Sequence, residues 1–219
     1  MPNWCCTQVV IYSENKSVIH KLHAKLNAYI KTPANENLGN NCNWLGNLLC
    51  NAGYDYSEVK DGKCGYCRGW VQYINEIEDN TATGYSSFSV DIEDAWAPNI
   101  EPWRKLITKL YPYHDIRLAW IAEEEGCELY QKYDPDGLFY SDAEYFVDCY
   151  VGAAEAYKEC PELMDEHRGF TLLELQHIFQ LDDIEAIVAR AEAIEEELQE
   201  KYGEGSYSIY PYEEMVSEY

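Results

Sequence analysis

"SSFSVDIEDAWAP", residues 86–98, decides the fold of this chain. Its side chains alternate strictly, because Phe88, Val90 and Ile92 fall on one side of an extended backbone and polar residues fall on the other. Such alternation is typical of a strand with one buried face. Pro98 ends the strand, since proline cannot donate a ladder hydrogen bond. We therefore predict a half-buried strand here, paired antiparallel with "GWVQYINEIED", residues 69–79.

The segments outside this pair predict two helices and two more strands. "TQVVIY" (residues 7–12) is short and β-branched, and "SVIHKLHAKLNAYI" (17–30) has helical spacing and a capping Ser17. "EPWRKLITKLYP" (101–112) predicts a second helix, and "DIRLAWIAEEEG" (115–126) predicts a further strand. The order is strand, helix, strand, strand, helix, strand. This order predicts an α+β, ferredoxin-like (βαββαβ) domain with an antiparallel sheet over residues 1–140.

Residues 32–69 are rich in Asn, Gly, Cys and Lys, and they predict an insertion with a short helix at residues 44–50. Residues 127–137 predict a strand and a turn, and residues 141–152 fit either a strand or a short helix.

The region 141–219 is predicted to be acidic and mainly helical. "TLLE" (residues 171–174) is a capping box, which opens a helix. Asp182 and Asp183 are expected to cap a longer helix that Gly203 stops.

Charge is the strongest functional signal. Residues 1–119 contain 11 basic and 13 acidic residues, a net charge of −2, whereas residues 120–219 contain 5 basic and 27 acidic residues, a net charge of −22. Phosphate contacts require Lys and Arg, so the acidic half is not expected to bind nucleic acid directly. No apolar stretch approaches the ~18 residues that a membrane span needs, and an anionic membrane surface would repel the chain.

The nine cysteines are odd in number, and the start has no basic segment ahead of an apolar run. We therefore expect no secretory signal and reduced thiols in a cytosol. Cys64 and Cys67 have metal-ligand spacing, and Cys42 and Cys50 are the nearest thiols that could complete a zinc site. A turn with free thiols is the other interpretation.

The remaining candidates for chemistry are few. Cys5 could be a nucleophile only with a base such as His20 or His23; otherwise Trp4 and Cys5 cover one end of the sheet. The sequence contains no phosphate-binding, hydrolase or zinc-protease motif, and we expect no cofactor and no enzymatic activity.

Three segments resemble a family of proteins carried by phages, plasmids and other mobile elements. They are "MPNWC" at the start, "EDAWAPN" at residues 93–99 and "EEEGCELY" at residues 123–130. The resemblance spans scattered pieces of residues 1–137. It implies a ferredoxin-like domain, a mobile-element origin and no established enzymatic activity.

The acidic surface supports two interpretations. It could occupy the nucleic-acid groove of a basic host protein, such as a restriction or CRISPR-type defence protein in the bacterial cytoplasm, or it could be a solvated face. The net charge of −22 on residues 120–219 exceeds the magnitude of ~2 to 8 that keeps a small domain soluble, and this favours a binding partner. The expected partner-binding residues are Glu123, Glu124, Glu125, Asp182, Asp183, Glu185, Glu192, Glu195, Glu196 and Glu200. A zinc-binding protein that uses the four cysteines is the alternative.

Overall fold

The computed structural model describes residues 3–38, 41–150, 156, 160, 162, 169–203 and 205–216; for Asn37 and Glu125 it describes the backbone alone. Over these residues the chain mixes α-helices with mostly antiparallel β-strands. It forms two compact units. The N-terminal unit comprises Met1–Leu129 and Tyr133–Pro135, and the C-terminal unit comprises Tyr130–Lys132 and Asp136–Tyr219. The sequence-based division at residue 140 stays a prediction.

The N-terminal unit is built on one antiparallel sheet. Its strands are β1 (Trp4–Ser13), β2 (Gly69–Ile74), β3 (Glu78–Asp79), β4 (Ser86–Ala95) and β5 (Arg117–Glu124). Their order is β5-β1-β4-β2, with β3 paired to β4. In register, Val9 of β1 lies opposite Val90 of β4 and Trp120 of β5. The predicted alternation in β4 is confirmed, since Phe88, Val90 and Ile92 are buried.

Four helices accompany this sheet: α1 (Lys16–Tyr29), α2 (Leu45–Asn51), α3 (Tyr56–Lys60) and α4 (Ile100–Leu110). α2 and α3 lie in the predicted insertion, and α2 confirms the short helix expected there. Leu45, Leu48 and Leu49 are fully buried in the same hydrophobic core as the sheet. The insertion therefore contributes to the core of the N-terminal unit. The cap of α1 is Asn15, not Ser17, because the Asn15 side chain accepts a hydrogen bond from the backbone N–H of Val18 at 3.3 Å.

The C-terminal unit contains the central residues of β6 (Leu129–Tyr133), which pairs in parallel with β10 (Glu213–Glu214). A three-stranded antiparallel sheet has the order β8-β7-β9, with β7 at Tyr145–Tyr150, β8 at Gly169–Phe170 and β9 at Ser206–Pro211. The helices α5 (Leu172–Phe179) and α6 (Ile184–Tyr202) share a hydrophobic core with it.

In the described part of residues 141–219, α5 and α6 contain more residues than the strands, as expected for a mainly helical region, but the three-stranded sheet was foreseen only in part: β7 lies where a strand or a short helix was expected, and β8 and β9 were not expected. Phe146 and Val147 of β7 are adjacent and both buried, so the strand lacks the alternation that identifies a half-exposed strand. Two of the predicted helix signals are confirmed. Thr171 forms the predicted capping box with Glu174, and Gly203 ends α6 in a left-handed conformation at φ 77°. In the described part of the chain, no helix combines the length and apolar character of a membrane span.

Candidate anionic interface

One face of α6 is built as a core-facing stripe. Ile187, Ala191, Ile194 and Leu198 are buried at helical spacing, and they pack in the core of the C-terminal unit. Asp183 starts the helix, since its Oδ2 accepts a hydrogen bond from the backbone N–H of Ala186 at 3.2 Å. The apolar stripe fixes which residues of the helix face outward.

The outward face carries four exposed glutamates: Glu185, Glu192, Glu196 and Glu200. At 100° per residue they fall within an arc of about 80°, and the centre of that arc is nearly opposite the buried stripe. Over 15 residues the row extends for about 22 Å. No cationic side chain of the described residues lies within ion-pair distance of any of the four. These residues are called the α6 acidic row.

The other carboxylates of the same helix have structural partners. Glu195 is half-buried; its two oxygens accept hydrogen bonds from the backbone N–H of Tyr207 and from the Gln199 side chain, each at 3.0 Å. Glu197 pairs with Arg190 at 2.9 Å, and this hydrogen bond raises the pKa of Arg190. Arg190 also contacts Glu162 at 3.3 Å. Glu195 and Glu197 therefore serve the fold of the C-terminal unit.

Asp182 and Asp183 are both exposed at the start of α6, but only Asp183 caps the helix. The backbone carbonyl of Asp182 accepts a hydrogen bond from the Gln176 side chain at 2.6 Å. The expectation that both residues cap α6 was therefore half right. The two carboxylates add negative charge at the N-terminal end of the helix, ahead of its first turn.

Glu123, Glu124 and Glu125 were expected to bind a partner at the surface, but Glu124 is not available for this. Glu124 is 3% exposed, and one of its oxygens accepts the backbone N–H of Gly126 at 3.1 Å. It points to the buried face because it alternates along β5 with Glu123, which is half-buried on the other face. The side chain of Glu125 lies outside the described residues. Alternation along β5 places Glu123 and Glu124 on opposite faces, so these two acids cannot share one surface.

The four cysteines of the zinc hypothesis lie in the N-terminal unit. Cys64 and Cys67 are buried, while Cys42 and Cys50 are half-buried. Burial raises the pKa of Cys50 and of Cys64, and burial together with the nearby Cys64 and Cys50 raises the pKa of Cys67 to about 12. Within the described residues, no group of three or more His, Cys, Asp or Glu side chains is arranged to hold a metal ion.

Cys5 is fully buried, and burial raises its pKa to about 12. Such a thiol carries almost no thiolate near neutral pH, and its nearest side-chain partner is the Thr7 hydroxyl at 3.7 Å. The two candidate bases are engaged elsewhere: His23 contacts the carbonyl oxygen of Asn75 at 2.9 Å, and His20 lies 3.6 Å from Asp79. The packing interpretation of Cys5 therefore fits its surroundings, although the neighbouring Trp4 is 42% exposed.

Sequence reasoning missed one group of surface residues, Arg68 and the aromatic side chains around it. Arg68 stands beside the rings of Tyr66 and Trp96, and Trp4 contacts Trp70. A high aromatic content was visible in the sequence, but the segments that meet here are far apart along the chain. No family model, curated protein or solved structure matches this chain.

Proposed function

We propose that the chain is a non-enzymatic interaction protein that needs no cofactor and that binds a basic, nucleic-acid-binding host protein through the α6 acidic row. The partner class is a defence protein of restriction or CRISPR type in the bacterial cytoplasm. The mobile-element resemblance supports this setting, because a mobile element benefits from blocking such a protein. The main support is that the four exposed glutamates of the α6 acidic row lie on one face of the helix and have no cationic partner among the described residues.

The spacing of the row supports this mode of binding. Glu192, Glu196 and Glu200 follow one another at about 6 Å along the helix axis. Phosphates of one duplex strand advance about 3.4 Å along the axis per step and also turn around it, so adjacent phosphates are about 6–7 Å apart. A groove that binds adjacent phosphates of one strand can therefore meet successive glutamates. Exposed carboxylates keep their hydration until binding, so the field of the row mainly steers association and makes it sensitive to salt.

We also propose that the N-terminal unit is ferredoxin-like. The sheet order β5-β1-β4-β2, with antiparallel neighbours, and the placement of α1 between β1 and β2 and of α4 between β4 and β5 support that assignment.

The experiment for the acidic row is capture of proteins from a bacterial lysate at low and high salt, with identification by mass spectrometry. The test variant reverses the four charges of the row to Lys. The control reverses four exposed carboxylates of the N-terminal unit, Glu14, Glu36, Glu76 and Glu78, and so changes the net charge equally.

We expect the wild type and the control to capture a nucleic-acid-binding protein at low salt, to lose it at high salt, and to release it when duplex DNA or RNA is added. The α6 variant should lose the capture. Equal loss of capture by both variants would assign the effect to net charge alone and refute the row as the binding surface. Capture retained by the α6 variant would refute it as well.

A further inference from the structure

The backbone pairing of the N-terminal unit gathers three distant segments at one end of its sheet. Trp4 of β1 lies opposite Ala95 of β4, and the backbone N–H of Ala95 donates to the carbonyl of Arg68 at 2.9 Å. The backbone N–H of Trp96 donates to the carbonyl of Asn3, also at 2.9 Å. Residues 3–4, 68–70 and 95–96 therefore form one continuous surface.

Aromatic rings dominate this surface. Trp4 and Trp70 lie on strands that flank β4, yet their rings meet edge to face with centroids 5.7 Å apart. The strands are separated by about 10 Å, so the rings meet above β4, where the small Ala95 leaves room. Tyr66, Trp96 and Trp4 are 71%, 48% and 42% exposed. Three large rings thus present free surface within one small area.

Arg68 stands between two of these rings. Its guanidinium carbon lies 5.4 Å from the centroid of Tyr66 and 5.0 Å from the centroid of Trp96, within cation–π range of both. Arg68 is exposed, and no described carboxylate is within ion-pair distance of it. These two contacts restrain the Arg68 side chain, and the N–H donors of a guanidinium form a planar fork that matches a carboxylate.

Trp96 has a backbone conformation that a bulky residue rarely adopts. Its φ is 69°, in the left-handed region. This conformation places the Trp96 ring beside Arg68. Strained positions of this kind persist where the surrounding structure fixes them, and they concentrate at binding sites.

From this arrangement we infer that the surface of Trp4, Tyr66, Arg68, Trp70 and Trp96 is a docking site for an extended peptide segment of a partner protein. The peptide carries one carboxylate, which binds the edge of Arg68. Proline or aliphatic residues beside that carboxylate pack on the exposed rings, as Pro-rich segments do in aromatic-lined grooves. Trp, Tyr and Arg are also the residues that most often dominate binding energy at interfaces.

Charge decides between a peptide and a single-stranded nucleic acid. The surface offers one guanidinium, and Glu93, which pairs in register with Trp70, accepts a hydrogen bond from the Gln72 side chain at 2.9 Å. Binding of a polyanion draws on several Lys and Arg contacts, and here it would meet one cation on a chain of net charge −24. A ligand with a single carboxylate matches the one cation that this surface offers. The site is separate from the α6 acidic row, so it can hold or fail independently of the function proposed above.

The test uses a phage-displayed library of random linear 12-residue peptides, panned on the full-length protein. We expect enriched peptides that combine Asp or Glu with proline or aliphatic residues. The best peptide is then synthesised in a carboxylate form and in a matched amide form, with Asn or Gln at the acidic position, and its affinity is measured by isothermal titration calorimetry.

The amide form should bind about tenfold more weakly, as one charge-assisted contact would give. Arg68→Gln should weaken the carboxylate peptide by a similar factor and leave the amide peptide nearly unchanged. Arg68→Lys should rescue little, because Lys keeps the charge but has no planar fork. Trp96→Ala should weaken both peptides. Tyr113→Ala removes a 95% exposed ring outside this surface and should change neither affinity.

Four results would overturn the inference. One is an absence of enrichment over the Arg68→Gln protein, and another is equal affinity for the two peptide forms. The third is binding of fluorescein-labelled oligo(dT) that Arg68→Gln abolishes, which would assign the site to nucleic acid. The fourth is self-association in sedimentation velocity that the same substitution abolishes, which would make a second copy the occupant. Thermal unfolding of each variant verifies that it folds.

Discussion

Glu195 and Glu196 are neighbours of equal charge on α6, and the structure assigns them opposite roles. Glu195 accepts the backbone N–H of Tyr207 and the Gln199 side chain, each at 3.0 Å, and so links α6 to β9. Tyr207 is fully buried. Glu196 is exposed, has no hydrogen-bond or ion-pair partner among the described residues, and belongs to the α6 acidic row. Replacing each in turn by alanine separates the structural carboxylate from the proposed binding carboxylate.

The magnitude follows from the hydrogen bonds that are lost. A hydrogen bond to a charged group contributes about 1.5–3 kcal/mol to the free energy of unfolding, so Glu195→Ala should destabilise the protein by about 2 kcal/mol. For 219 residues that unfold together, this corresponds to a fall in Tm of about 4–8 °C. Glu196→Ala should change the free energy of unfolding by less than about 0.5 kcal/mol. Its sign should be slightly stabilising, because the substitution relieves repulsion from Glu192 and Glu200 at i±4.

Differential scanning calorimetry and urea unfolding measure these changes, and Glu195→Gln should fall between the two alanine variants because it keeps one acceptor oxygen. In the lysate capture, Glu196→Ala should weaken binding at unchanged stability. Equal Tm values for the two alanine variants would refute the structural role of Glu195. Equal capture by Glu196→Ala and wild type would count against the acidic row.

Two further predictions concern titrating groups. Burial raises the pKa of Cys5 and of Cys67 to about 12, so iodoacetamide at pH 8 should label the exposed Cys6 long before either of them in the folded protein. Peptide mapping by mass spectrometry measures this order. Fast labelling of Cys5 would contradict its packing role. Hydrogen bonds from Lys16 and then Ser86 lower the pKa of Asp79 to about 2, so its contribution to stability is present above the ordinary value near 3.8 and is lost as the pH falls through about 2. Lys16→Met should move the Asp79 titration midpoint in a carboxyl-detected NMR experiment toward 3.8, and an unmoved midpoint would show that Lys16 is not the cause.

The sequence by itself determined the local structure of this chain. Alternation at residues 86–98 gives β4, and the Thr171 capping box and Gly203 mark helix ends, because these signals depend on residues within a few positions of one another. Helical spacing likewise identified the outward glutamates of α6. Each of these features is recorded in a short window, so a sequence pattern is sufficient to find it.

Only the tertiary structure decided which charged groups are available for binding. It buries Glu124, places Glu195 where it accepts a hydrogen bond from the backbone N–H of Tyr207, and brings Arg68 within cation–π distance of Trp96. These partners come from segments 12 to 28 residues away or from the opposite side of a strand. A residue's solvation and its hydrogen bonds depend on what packs against it in three dimensions, and no local pattern encodes that neighbour.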